Sequence, residues 1–247
     1  MPQTMTGKQA LLEMLKAEGV EYIFGNPGTS EGPIIDMLGD YPEFKYILAL
    51  QESVAVGMGE SYARATGTAS FVSLHVDSGL ANGICLMLDA LNTGTPMVVT
   101  SANYDARKIN EVKSDLAELV RPVTKWAVEL NRADRVAEMV DKAFHIANSG
   151  RPGPVVISLP EDSDRSLCAK DSVWRGATVG APSASTKGVE KAVSMIEEVE
   201  RPCIVAGEGV LRVNATDKLV HFAECLGAPV FTAWRRFDTF PNKHPLY

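Results

Sequence analysis

Short apolar runs alternate with amphipathic stretches through most of the chain. "TGKQALLEMLKAEG" predicts a helix with Thr6 as its N-cap, Gly19 as its stop, and Leu11, Leu12, Leu15 and Val20 on the apolar side. "EYIFG" predicts a short buried strand that runs into the turn "GNPGTSEG". "KYILAL" and "ESVAVGMGESYARATG" predict a second strand and a second helix, the helix ending at Gly67. A third strand "ASFVSLHV", a helix "SGLANGICLMLDALNTG" and a strand "PMVVTSA" follow. After a polar connection come "VTKWAVEL", a helix "RADRVAEMVDKAFHIANSG" and "GPVVISLP". Strands separated by helices of this length predict βαβ units, hence an α/β fold with a parallel sheet covered by helices on both faces.

The pattern breaks after residue 160. "EDSDRSLCAKDSVWRGATVGAPSAST" is polar and without period, which predicts a linker. It then restarts with helix "KGVEKAVSMIEEVE", strand "PCIVAGE", helix "ATDKLVHFAECLG" and strand "PVFTA". These boundaries divide the chain into a first domain over 1–165, a linker over 166–186 and a second α/β domain over 187–247. The second domain holds only about two βα units, fewer than the ~5–6 strands of an ordinary sheet, so it reads as truncated.

The totals refine this picture by exclusion. With 247 residues, 45% of them apolar, the chain can bury a substantial core. A formal net charge of −7 argues against nucleic acid or an anionic membrane as a partner held by a general field. Cys85, Cys168, Cys203 and Cys225 form no CxxC pair and read as reduced structural thiols rather than metal ligands. The N-terminus lacks a signal-peptide layout, and no apolar run approaches the ~18–20 residues that span a bilayer. The expectation is a cytoplasmic protein.

Candidate chemistry sits where strands end. Glu52 directly follows "YILALQ" at the start of a helix, where a carboxylate is favoured by the free N–H groups and the helix dipole. A capping role is therefore the plainer reading of Glu52 by itself. Gly57 and Gly59 inside that helix each cost roughly 1 kcal/mol against alanine, which points to a close packing partner. "FGNPGTSEGP" is a stiff turn at a strand's carboxyl end, where Gly25 and Gly28 let backbone approach a ligand; it lacks the lysine and spacing of a P-loop. His75 ends the third strand and enters a loop with Asp77, Ser78 and Gly79; a lone histidine there is more often structural. "IVAGEGV" carries a bare GxG, too little for a dinucleotide site.

Taken together and in order, "FGNPGTSE", "LALQESVAVGMGESYARATG", "SLHVDSGLANGICLMLDALNTGTPMVVTSA" and "GRPGPVVISLPED" resemble the thiamine diphosphate-dependent decarboxylase and acetolactate synthase superfamily. The resemblance covers roughly the first 160 residues, and the second domain looks like the opening of that superfamily's middle domain. "GNPG" with His75 is most similar to the benzoylformate decarboxylase branch.

The resemblance implies a pyrimidine-binding first domain with Glu52 as the cofactor-activating glutamate. A carboxyl group on a ring nitrogen of the aminopyrimidine favours the imino tautomer that activates the thiazolium carbon. His75 is implied to shuttle protons to intermediates, and Thr29 falls beside the substrate carboxylate. Asn26 and Pro27 would line the pyrimidine pocket, with Asn82 in support. Val76-Asp77-Ser78 after the histidine departs from the branch's pattern.

No GDG motif, the family's diphosphate and Mg²⁺ signature, occurs in the sequence. Thiamine diphosphate is thus the implied cofactor, with Mg²⁺ expected through a domain outside this chain; FAD stays open without a motif to support it. The implied substrate is a small-molecule 2-oxo acid, and the implied full-length protein is a homodimer or tetramer whose site is shared between subunits. The alternatives are an acetolactate synthase-type carboligase and, from another class, a non-catalytic truncated partner subunit. The chain alone is expected to be inactive.

Overall fold

The structure, a computed structural model, describes residues 4–104, 114–161, 166–169, 183–234 and 236–247. It separates into two compact units, Met1–Val179 and Gly180–Tyr247.

The first unit opens with strand β1 (Thr4–Thr6) and helix α1 (Gly7–Ala17). Thr6 caps α1 reciprocally: its hydroxyl accepts from the Gln9 N–H, and the Gln9 side chain accepts from the Thr6 N–H at 2.9 Å. Gly19 takes a left-handed φ of +79°, and Val20 N–H reaches back to the Leu15 carbonyl, which stops the helix as the sequence predicts. Six strands then form one parallel sheet, in chain order β2 (Tyr22–Asn26), β3 (Lys45–Leu48), β4 (Ser70–Leu74), β5 (Met97–Asn103), β6 (Trp126–Glu129) and β7 (Pro154–Pro160). Their spatial order is β3-β2-β4-β5-β7-β6.

Helices cover both faces, as the alternating pattern requires. On one face α1 and α6 (Val136–Asn148) pack against Ile23, Phe71, Val98, Val155 and Ile157. On the other, α3 (Glu52–Thr66), α4 (Ser78–Thr93) and α5 (Leu116–Val120) pack against Val72, Leu74, Val99 and Val156. Alternate residues of one strand thus feed opposite cores, the signature of a sheet buried on both sides. A short helix α2 (Gly32–Met37) follows the "GNPGTSEG" turn. Within the stretch read as a linker, Leu167–Ala169 is a strand, β8, that pairs antiparallel with β1; most of that stretch lies outside the described residues.

The second unit contains α7 (Thr186–Glu197), β9 (Ile204–Ala206), α8 (Gly209–Arg212), α9 (Thr216–Leu226) and β10 (Val230–Thr232). Its two strands are parallel, and Ala206, Ala223, Val230 and Phe240 form a small core. In the "IVAGEGV" turn, Glu208 accepts from the Arg236 guanidinium at 3.2 Å, and the helix that follows has only four residues. No helix among the described residues is long and apolar enough to cross a membrane.

Candidate functional site

Three neighbouring strands deliver the site. From β2 the chain goes to β3 on one side, and β4 then lies on the other side of β2. The crevice at the carboxyl ends of β2 and β4 is therefore a topological switch point, where open α/β sheets bind ligands. Asn26 ends β2 in register with Leu74 at the end of β4; His75 follows immediately, and Glu52 opens α3 beyond β3.

Glu52 is 8% exposed, and both its oxygens are held by side-chain amides. Asn26 Nδ2 donates to Oε1 and Asn82 Nδ2 to Oε2, each at 3.0 Å. Glu52 is not the cap of its helix. Gln51, extended at φ −162°, ψ 143°, accepts the Val54 N–H at 3.2 Å and does the capping. With that duty discharged by its neighbour, the Glu52 side chain is free to meet the end of β2 and the start of α4.

A second cluster adjoins this one. Glu31, 1% exposed, accepts from Gly28 N–H at 2.8 Å, the Ser30 hydroxyl at 2.9 Å and Ala102 N–H at 3.3 Å, and lies 2.9 Å from His75 Nδ1. Ser30 Oγ is also 3.0 Å from His75 Nδ1. His75 Nδ1 is thus held between the Ser30 hydroxyl and the Glu31 carboxyl group. Among the described residues Nε2 has no hydrogen-bond partner, and the His75 side chain is one-third exposed. Behind the cluster, burial first and the Glu31 charge second hold the Tyr46 phenol well above its ordinary pKa.

Two glycines make this geometry possible. A Cβ on Gly28 would fall 2.1 Å from His75 Nδ1, so the imidazole packs directly on the turn backbone. A Cβ on Gly79 would sit 2.8 Å from His75 Cβ and 3.2 Å from Glu52 Oε1, so Gly79 separates the two clusters by backbone alone.

The structure therefore brings Asn26, Glu52 and Asn82 together and places His75 next to them. Pro27 lies half-buried in the same turn. Thr29 is exposed, and its hydroxyl makes no hydrogen bond among the described residues; the neighbouring Ser30 is the hydroxyl that meets His75. Sequence reasoning missed Ser30 and Glu31. The available signal was local: Glu31 lies three residues after Gly28, a spacing at which a side-chain oxygen can take a backbone N–H. Among the described residues no group of three or more His, Cys, Asp or Glu is placed to hold a metal ion.

Comparison with known proteins assigns the class. Residues 5–124 match the thiamine pyrophosphate enzyme N-terminal TPP binding domain, and residues 189–247 match the central domain of the same enzymes. The chain belongs to the thiamine pyrophosphate enzyme family. Its relatives include the acetolactate synthase large subunits of Buchnera aphidicola subsp. Schizaphis graminum (30% identical) and of Buchnera aphidicola subsp. Schlechtendalia chinensis (32%). Both matches cover 98% of this chain and 44% of the relative. Among solved structures, the Rhodococcus jostii RHA1 thiamine diphosphate-dependent 4-hydroxybenzoylformate decarboxylase superposes with a TM-score of 0.86 at 28% identity. That superposition covers 96% of this chain and 47% of the other. The chain thus spans under half the length of the proteins it matches.

Proposed function

We propose that the chain is the N-terminal portion of a thiamine diphosphate-dependent 2-oxo acid decarboxylase. In this reading residues 1–165 hold and activate the cofactor's aminopyrimidine, 166–186 link, and 187–247 begin the middle domain. The observation that carries it is Glu52, a buried carboxyl group fixed through both oxygens by Asn26 and Asn82 at a switch-point crevice. Such a group suits a heteroaromatic ring nitrogen, with which a carboxyl shares a proton.

When bound, the cofactor supplies the electron sink that a 2-oxo acid needs to lose its carboxylate. The chain's own residues do the rest. Asn26 and Asn82 keep Glu52 oriented, Glu52 holds a proton at the ring nitrogen, and Pro27 lines the pyrimidine. His75, anchored by Glu31 through Nδ1, exchanges protons with the substrate through Nε2. Thr29 stands beside the substrate carboxylate. Mg²⁺ would enter with the diphosphate through residues outside this chain, and no feature supports FAD. By itself the 247-residue chain would be inactive.

Apolar side chains next to Glu52 support a shared site: Leu48, Leu50 and Val54 are 60%, 92% and 47% exposed. Clustered exposed apolar side chains of this kind mark interaction surfaces, which fits a homodimeric or tetrameric enzyme. An acetolactate synthase-type carboligase is the second reading, favoured by the acetolactate synthase relatives.

The decisive test is Glu52→Gln in the longer protein that completes this chain. Deuterium exchange at the reactive C2 carbon of bound thiamine diphosphate should slow by about 10²–10⁴-fold, the span of general acid–base catalysis. Undiminished exchange would falsify the role of Glu52.

A further inference from the structure

Glu31 is 1% exposed, so it meets no ligand itself; whatever it contributes to the crevice passes through His75. Burying a carboxyl group is costly unless its oxygens are matched, and a neutral amide would serve as an acceptor for the turn alone. Here both oxygens are matched. Oε2 accepts from Gly28 N–H and Oε1 from Ala102 N–H, so one backbone amide reaches each oxygen, one from the turn and one from β5. Backbone amides donate in every protonation state, and two of them on one carboxyl group suit its ionised, acceptor-only form.

Two contacts remain whose proton can move. Ser30 Oγ lies 2.9 Å from Oε1 and 3.0 Å from His75 Nδ1, and Oε2 lies 2.9 Å from the same nitrogen. A hydroxyl has one proton, so Ser30 donates to one neighbour and accepts from the other. With a proton on Nδ1, both contacts to the ring are attractive, and Ser30 passes its own proton to Oε1. With Nδ1 bare, the carboxylate and the ring would set two lone pairs against each other at 2.9 Å. Gly28 backs the ring at that edge, where a Cβ would fall 2.1 Å from Nδ1.

We propose that Glu31 is a positioning residue: with Ser30 it holds the proton of a neutral His75 on Nδ1 and leaves Nε2 as the bare nitrogen that takes a proton from the bound small molecule. Which ring nitrogen carries the proton is set by the partner of the other, and Nε2 has no hydrogen-bond partner among the described residues. The second half of the inference rests on reading the crevice as a small-molecule site; the first half does not.

The test is the ring's own nitrogen spectrum. Two-bond proton–nitrogen NMR spectra are recorded on the 15N-labelled 247-residue chain at about pH 8.5, where an ordinary imidazole is neutral. His75→Ala identifies its signals among the four histidines. Wild type should show a protonated Nδ1 and a bare Nε2. Ser30→Ala should keep that pattern, because Glu31 still takes the Nδ1 proton. Glu31→Gln, whose amide can donate to a bare Nδ1, should move the proton to Nε2. In the longer protein, Glu31→Gln should lower kcat for benzoylformate by about 10²-fold, the low end of what a positioned acid or base contributes. KM and cofactor C2 exchange should stay within twofold, since Glu31 touches neither ligand. A proton on Nε2 in wild type overturns the proposal, whether or not the variants fold. An unchanged tautomer in Glu31→Gln, or a kcat within twofold of wild type, overturns it too. Failure of the cofactor reading shows separately, as undiminished exchange in Glu52→Gln with the Nδ1 tautomer intact.

Discussion

Glu31 and Glu60 are both buried carboxylates, and their surroundings differ. Glu31 faces four partners from three segments of chain. Glu60, on α3, accepts from the Thr93 hydroxyl at 2.9 Å, has Arg64 3.8 Å away and shares a hydrogen bond with the Asp89 side chain. Burial accordingly pushes the Glu60 pKa up; Thr93 opposes this, and the charge of Asp89 adds to it. A raised carboxyl pKa means the folded state binds the proton more tightly than the unfolded chain does. The associated stability is complete below the ordinary value of 4.5 and is lost as pH rises through the folded pKa. Glu60→Gln, which keeps an acceptor for Thr93, should match wild type near pH 4 and become progressively more stable than it toward neutrality. Unfolding temperatures measured from pH 4 to 7 check this, and parallel curves for the two proteins would refute it. The same contrast explains what the sequence could reveal of the site. Glu52 and His75 follow strand ends, so their placement near one crevice was legible. The role of Glu31 depends on Ala102, 71 residues away, and no local pattern carries that contact.

At the scale of elements, α3 answers why its sequence tolerates two interior glycines. A Cβ on Gly59 would lie 2.6 Å from Val72 Cγ2 and 3.2 Å from Ser70 Oγ, both on β4, so this glycine sets the helix close against the sheet. On Gly57 it would meet only Leu86 Cδ1, the flexible tip of a side chain on α4, at 2.9 Å. The two should respond differently to alanine. Gly59→Ala forces α3 from β4 and should cost about 1–3 kcal/mol. Gly57→Ala gains roughly 1 kcal/mol of helix propensity against a small shift of Leu86, and should be near neutral. Urea denaturation of both variants distinguishes them; equal losses would show that neither glycine is set by its neighbours. Elements with long periods and clear caps, such as α1 and α3, were readable from the sequence. The five- and six-residue helices α5 and α2 were not, because so short a segment completes too little of the 3.6-residue period to be recognised.

For the molecule as a whole, alternation of strand and helix was enough to predict a parallel sheet with two covered faces. The order β3-β2-β4-β5-β7-β6 was not, since each strand's neighbour is chosen by tertiary packing rather than by its own residues. In the second unit, Val189 and Val193, one helical turn apart, form an exposed apolar pair on α7, which has no buried residue. Nor was the β1–β8 pair legible, because three-residue strands more than 160 positions apart carry no mutual signal. That pair has a mechanical consequence. Its register joins Thr4 to Ala169, Met5 to Cys168 and Thr6 to Leu167, so the first unit's incoming and outgoing chain meet at one end of the ladder. Tension applied through those two segments loads the Thr4–Ala169 rung first and opens the ladder one rung at a time rather than shearing it. In a single-molecule pulling experiment with handles at these ends, the β1–β8 pair should yield at low force before the parallel sheet gives way.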